Sequence, residues 1–222
     1  GESIGFLTGI VYLTPDDQLC PLARLAGCMA GCLRTAGRGR FDKVQQARAA
    51  KTRFFKDNRL AFMLSLCADT WSLVRKARKL GMIPLVRPNG TSDIPFENFI
   101  VWEGKTIFQL FPDITWYDYT KHPARNLEGK TAGNYDLTYS FSALTPKPIS
   151  IKGLQNPDNR RTAVVFQRKS DIPDTFRGWP VVNGDDTDVR HIEPSNVVVA
   201  LYAKGKAKHD DTGFVQIKGR DY

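Results

Sequence analysis

Seven short runs rich in apolar, β-branched and aromatic residues recur along the chain, and several are continuous where a half-wet strand would alternate. They are "GFLTGIVYL" (Gly5–Leu13), "MIPLVR" (Met82–Arg87), "ITWYD" (Ile114–Asp118), "YDLTYS" (Tyr135–Ser140), "TAVVF" (Thr162–Phe166), "WPVV" (Trp179–Val182) and "NVVVALYA" (Asn196–Ala203). A strand open to water on one face alternates apolar with polar residues, whereas one covered on both faces does not. The pattern therefore predicts an α/β protein with about six to seven mostly parallel strands, read as a partial or irregular (β/α) barrel of the TIM-like kind. Two helices are predicted between the first and second runs. The first is "DKVQQARAAKTRFF", with Asp42 placed to cap it; the second spans about Arg59 to Leu80. Leu60, Met63, Leu64, Cys67, Trp71 and Val74 fall at helical spacing on one face of the second, and Gly81 supplies a stop. "TIFQLF" (Thr106–Phe111) reads as a helical turn or two, and Ala143–Arg161 is the most loop-like stretch. No repeat of fixed period and no clear linker divides the chain, so residues 1–222 read as a single α/β domain.

Polar clusters follow the runs. "RPNGTSD" closes the second, "YDYTK" the third, "TYSFS" the fourth, "NGDDTD" the sixth and "AKGKAK" the last. Each alone is ordinary turn chemistry. In parallel α/β folds, however, the C-terminal strand ends share one edge, and ligands bind there. Asp93 and Asp118 each close a strand and are the candidate base or nucleophile. Lys121 is the candidate cation beside them, and Lys204 and Lys206 flank a glycine that lets backbone approach an anion. Arg87, Asn89 and Ser140 would orient a substrate, since a planar guanidinium suits a phosphate or carboxylate. Asp185, Asp186 and Asp188 could hold a hard cation, but capping a turn is the plainer reading, and His191 beside them reads as a surface residue.

Three of the four cysteines lie within "CPLARLAGCMAGC", spaced by seven and then three residues. This loop follows the first strand and so belongs to the same edge. Cys20, Cys28 and Cys32 are the candidate ligands of an iron–sulfur cluster or of zinc, which would need a fourth ligand such as His122, His191 or His209. The alternatives are burial as small apolar residues and a disulfide, which would leave one thiol over. Cys67, on the helix stripe, reads as core. No run of about 18 apolar residues is present and no charged-then-apolar leader opens the chain, so a cytoplasmic location is expected, with no membrane partner.

The net charge of +9 is concentrated in one part of the chain. Residues 1–80 carry fourteen Lys and Arg against six Asp and Glu, while the remainder carries eighteen against seventeen. Nine basic residues, Arg38 and Arg40 among them, lie between Arg34 and Arg59 with Phe41, Phe54 and Phe55 interleaved. Arg75, Lys76, Arg78 and Lys79 follow. A phosphate backbone rewards such clustering through counterion release, so nucleic acid is the expected partner, DNA before RNA. A solvated helix face is the alternative. Phe54 and Phe55 could stack on bases, though their helical spacing favours the core.

Taken together, "CPLARLAGCMAGCLRTAGRGR", "RPNGTSD", "YDYTK", "YDLTYS" and "AKGKA" resemble a family of bacteriophage proteins with a three-cysteine loop, over most of the chain from the first strand to about Phe214. The layout also resembles the partial (β/α)₆ barrel of radical-SAM proteins, in which a three-cysteine loop after the first strand holds a four-iron cluster. That resemblance implies S-adenosylmethionine as a second cofactor, although the cysteine spacing here is wider and "RPNGTSD" echoes that family's glycine-rich segment only loosely. A more distant resemblance is to barrel transglycosylases that exchange bases in nucleic acid; there the strand-end aspartates would correspond to Asp93, Asp118 and Asp185. The resemblances imply a phage-encoded metal or iron–sulfur enzyme that modifies a nucleic-acid base or nucleotide in the infected cell. The alternatives are a basic nucleic-acid-binding protein whose cysteines brace a loop, and a protein that binds an acidic host factor.

Overall fold

A computed structural model of the chain describes residues 1–126, 132–145 and 161–222. Most of the stretch read as a loop, residues 146–160, lies outside the described residues.

Strand β1 (Phe6–Ile10) leads through the cysteine loop to α1 (Asp42–Asp57) and α2 (Arg59–Leu80), and then to β2 (Ile83–Arg87). A small antiparallel hairpin of β3 (Ile100–Trp102) and β4 (Lys105–Thr106) feeds the single turn α3 (Ile107–Leu110). The chain continues through β5 (Thr115–Thr120), β6 (Tyr135–Ser140), β7 (Arg161–Phe166), β8 (Thr175–Phe176), β9 (Trp179–Asn183), β10 (Val197–Tyr202) and β11 (Val215–Gln216). The main sheet has the order β1-β2-β5-β6-β7-β10-β9-β8. Every pairing from β1 to β9 is parallel, and β8 is antiparallel to β9.

The largely parallel sheet is thus present, but among the described residues no pairing joins its two ends, β1 and β8, and no closed TIM-like barrel forms. Two features account for the difference. A (β/α) barrel advances one strand at a time with a helix after each. Here β10 sits between β7 and β9, and among the described residues only the β1–β2 crossover carries long helices. The sheet also forks. β10 pairs with β7 along its whole length, β6 meets β7 only as far as Ala163, and β11 pairs with Val165 and Phe166 beyond it.

Continuous apolar runs are explained by burial on both faces of β5. Trp116 packs into a core with Phe55, Phe62, Met63, Phe108 and Tyr135, while Tyr117 packs oppositely with Leu85 and Val189. Pro84 is accommodated inside β2 because β5 pairs only from Leu85 onward, where no donor from the proline is needed.

Helix α2 buries Phe62, Met63, Leu66, Thr70 and Ala77, whereas Leu60, Leu64 and Trp71 of the expected stripe are exposed. The apolar residues surround the helix, and packing against β1 and β2 selects the Phe62 side. Cys67 is partly buried against the same core, Phe55 is within it and Phe54 is exposed. Asp42 is the first helical residue of α1, not its cap; Phe41 holds the capping position without a side-chain hydrogen bond. Its charge can still favour the helix N-terminus. Gly81 ends α2 in the left-handed region, at φ 64°.

Candidate functional site

The C-terminal ends of β1, β2, β5, β6 and β10 open on a cavity of about 230 Å³. Its wall includes Cys20, Cys28 and Cys32 from the first loop, Arg87, Asn89 and Asp93 from the second, and Lys121, Ser140 and Lys204 from later strand ends.

Local chemistry seats the cysteine loop. The Asp16 carboxylate accepts the N–H groups of Gln18 and Leu19 at 3.0 Å and pairs with Lys56 of α1 at 2.5 Å. The Asp93 N–H donates to Leu19 O at 2.8 Å, and the Ser142 hydroxyl donates to Ala26 O at 2.7 Å. Gly90 passes so close to β1 that a β-carbon there would lie 2.7 Å from Val11 O. That contact requires glycine although its φ is ordinary.

All four cysteines are free thiols. Cys20 Sγ lies 3.8 Å from Thr91 O, and Cys28 Sγ lies 3.5 Å from Ala23 O while packing against Ala203, Ala207 and Phe214. Burial pushes the Cys20 thiol far above its ordinary range, with Asp93, Cys28 and Cys32 adding to the rise. Burial also raises Cys28; the Lys121 ammonium opposes this, and Cys32 and Asp93 reinforce it. Cys28 and Cys32 are therefore close enough to disfavour the Cys20 thiolate, and Cys32 that of Cys28. Among the described residues no group of three or more His, Cys, Asp and Glu is gathered at metal-holding distances. None of the three histidines lines the cavity. His191, read as a surface residue, is partly buried, its ring 5.5 Å from that of Phe6 and 6.2 Å from that of Tyr117.

The two candidate carboxylates differ sharply. Asp93 borders the cavity; one oxygen accepts the Lys121 N–H at 2.8 Å and the other pairs with Arg125 at 2.5 Å. Asp118 is fully buried beneath the cavity and does not line it. Both its oxygens accept the Asn89 N–H at 3.0 Å, and one also accepts the Tyr135 hydroxyl at 3.0 Å. Burial pushes its carboxyl up to about 7, against the opposing pull of Arg87 and these hydrogen bonds. Asp118 therefore positions the β2 loop instead of projecting into the mouth. The Asn89 side chain is likewise occupied within that loop, bonding Ser92, Ile94 and Tyr135.

Lys121 is buried at the cavity wall. Its Nζ donates to Phe141 O at 3.1 Å and lies 4.7 Å from the centre of the Phe214 ring. Burial lowers its pKa, with Cys28 and Asp93 opposing the shift. Lys204 pairs with Asp185 at 2.5 Å, and Asp185 also accepts the Tyr202 N–H. Asp186 accepts from Asn183, as a turn residue would. Lys206 is exposed on the last loop, and Arg38 and Arg40 are exposed in the turn before α1; none of the three lines the cavity.

Sequence reasoning missed Arg125, which clamps Asp93 and makes two hydrogen bonds to Glu97, at 2.6 and 3.0 Å. No local signal marks it, because its partners lie 28 and 32 residues away. Tyr119 and Asp188 also line the cavity. Tyr119, near the end of a strand, is the kind of position that strand-end reasoning can find.

The model of a family described as Gene product 88 matches residues 2–218. No curated protein and no solved structure matches the chain. Among the described residues no helix is long and apolar enough to cross a membrane.

Proposed function

The chain belongs to the gene product 88 family, and from that premise we propose that it is an enzyme acting on a nucleic-acid base or a nucleotide, with the cavity at the strand ends as its active site. One observation carries the reading: Cys20, Cys28 and Cys32 line the same cavity as Asp93 and Lys121. In this reading the three cysteines hold an iron–sulfur cluster or zinc. The donors fit such a group in kind: three soft sulfurs on one turn-rich loop, with the Cys20 and Cys28 thiolates disfavoured by neighbouring sulfurs, a repulsion that a bound cation removes. Their side chains must rotate inward to bind it. When bound, the group supplies Lewis-acid or redox chemistry. S-adenosylmethionine is a further cofactor of the iron–sulfur version.

The chain's own groups have separate roles. The buried Lys121 is positioned to hold or donate a proton to a ligand atom, and burial, by lowering its pKa, makes that proton easier to give up. Asp93, tied to Arg125 and the Lys121 backbone, fixes the ammonium's neighbourhood and offers a carboxylate to the ligand. Phe214 and Tyr119 give the cavity flat apolar walls suited to a base. The exposed basic residues of α1 and α2 hold the phosphates of DNA, and the setting is the cytoplasm of an infected cell. The parallel strand succession is read as an open relative of the partial (β/α) barrel.

A second reading is a non-catalytic DNA-binding protein whose cysteines brace a loop. It is favoured by the exposure of Arg38, Arg40, Arg75, Lys76, Arg78 and Lys79 away from the cavity.

The test is elemental analysis with a visible absorption spectrum on protein purified without oxygen. Stoichiometric iron with charge-transfer absorption, or stoichiometric zinc, lost in Cys28→Ala, supports the enzyme reading. Protein that takes up neither metal after reconstitution overturns its metal step.

A further inference from the structure

A buried arginine usually finds partners for most of its five N–H donors. Arg87 does not. Its side chain is 8% exposed, it closes β2, and it lines the cavity. Among the described residues its only ionic partner is Asp118, 3.7 Å from Nε, too far for a hydrogen bond. Among the described residues the buried Nε has no hydrogen-bond partner, and the other guanidinium nitrogens make no hydrogen bond either. Its carbon lies 4.9 Å from the centre of the Tyr119 ring, so one face is covered while its edges remain free. Asp118 is not free to turn toward it, because both oxygens already accept from Asn89 and one from Tyr135. Asp188 lines the same cavity without forming an ion pair with Arg87.

A buried charged donor left unpaired carries a desolvation cost that no hydrogen bond offsets. An arrangement of this kind persists when a ligand completes it. We propose that Arg87 is the docking group for a phosphate of the substrate, its planar fork taking two phosphate oxygens inside the cavity while Tyr119 holds the opposite face. This rests on the nucleotide reading of the cavity and makes it more specific. The ligand brings an anionic group to the β2 end of the cavity. The phosphate comes either from a free mononucleotide or from a single DNA strand threaded to the cavity.

The test follows the Arg87 Nε–H resonance in the ¹⁵N-labelled full chain during separate titrations with thymidine 5′-monophosphate, thymidine and a short single-stranded oligodeoxynucleotide. A shift with the monophosphate but not the nucleoside identifies a free nucleotide as the phosphate source. A shift with the oligonucleotide alone identifies strand phosphate. Either supports the inference. A resonance unmoved by both phosphate-bearing probes, or moved equally by thymidine, overturns it. Arg87→Lys keeps the charge but loses the fork, and is expected to weaken the phosphate-bearing probe roughly 10- to 100-fold. If that variant does not fold, the wild-type titration still decides the outcome. Metal content is measured on the same samples: absence of metal counts against the enzyme reading, whereas a silent Arg87 counts against phosphate docking alone.

Discussion

Arg87 and Asp118 face each other as buried opposite charges 3.7 Å apart without a hydrogen bond between them. The carboxylate is bound instead by the Asn89 N–H and the Tyr135 hydroxyl. The pair thus couples two adjacent strands, β2 and β5, to the loop that carries Asn89, Gly90 and Asp93 into the cavity wall. One partner is satisfied by the protein and the other is not.

Removing Asp118 takes from Arg87 its ion-pair partner among the described residues, with the more distant Asp188 left beside it. Asp118→Ala is expected to destabilise the fold by about 3–5 kcal/mol, the cost of breaking a buried pair from one side. Chemical denaturation at neutral pH checks it.

Stability is also expected to depend on pH through Asp118. Its carboxyl is raised in the folded state to about 7, while in the unfolded chain it titrates near the ordinary value of 3.8. Between these values the folded state holds the proton that the unfolded chain has released. Stability from this group is therefore present below about pH 4 and is lost as pH rises to about 7. Urea unfolding across that window should show the fall, and Asp118→Asn should flatten it.

Lys121 favours the Cys28 thiolate. Lys121→Met, similar in length but uncharged, should slow alkylation of Cys28 at pH 8, because the thiolate loses the neighbouring ammonium that favours it. Iodoacetamide labelling read by peptide mass spectrometry checks it, with the more distant Cys67 as internal reference.

Gly90 carries the close approach between the first two loops. Gly90→Ala forces a carbon to within 2.7 Å of Val11 O and of the Ile10 side chain. A loss of about 1–3 kcal/mol is expected, as for overpacking elsewhere. A thermal melt measures it.

If the basic helices bind DNA, replacing Arg75, Lys76, Arg78 and Lys79 together by alanine should weaken binding for every sequence alike. The slope of log affinity against log salt should fall by about 0.9 for each phosphate that is no longer neutralised. Fluorescence anisotropy at several salt concentrations reads both quantities. An unchanged slope means that DNA binds through another part of the surface.

The parallel sheet was legible because its signal is local: both faces of β10 are covered, and its sequence is accordingly an unbroken apolar run, while β5 carries aromatic residues on both faces. Strand-end reasoning also found residues that do share a cavity, among them Cys28, Asp93 and Lys121. It could not separate Asp93 from Asp118. Both were read as closing a strand, but Asp93 lies in the loop beyond β2 and borders the cavity, whereas Asp118 lies inside β5 and is enclosed, held there by Tyr135 and Asn89 from elsewhere in the chain. The exposed side of α2 was hidden for a similar reason. Leu60, Leu64 and Trp71 are as apolar as the residues that pack, and only the position of β1 and β2 decides which side is covered.

By itself, then, the sequence determined the seven strands of the parallel succession, though not the short β3, β4, β8 and β11, and that polar loops follow most of them, since hydrophobic periodicity and turn chemistry act over a few residues. Tertiary structure alone decided that β10 inserts between β7 and β9 and leaves the sheet open, that Arg125 clamps Asp93, and that Arg87 faces the cavity without a hydrogen bond. These are relationships between residues distant in sequence, and they depend on burial, which no local pattern encodes.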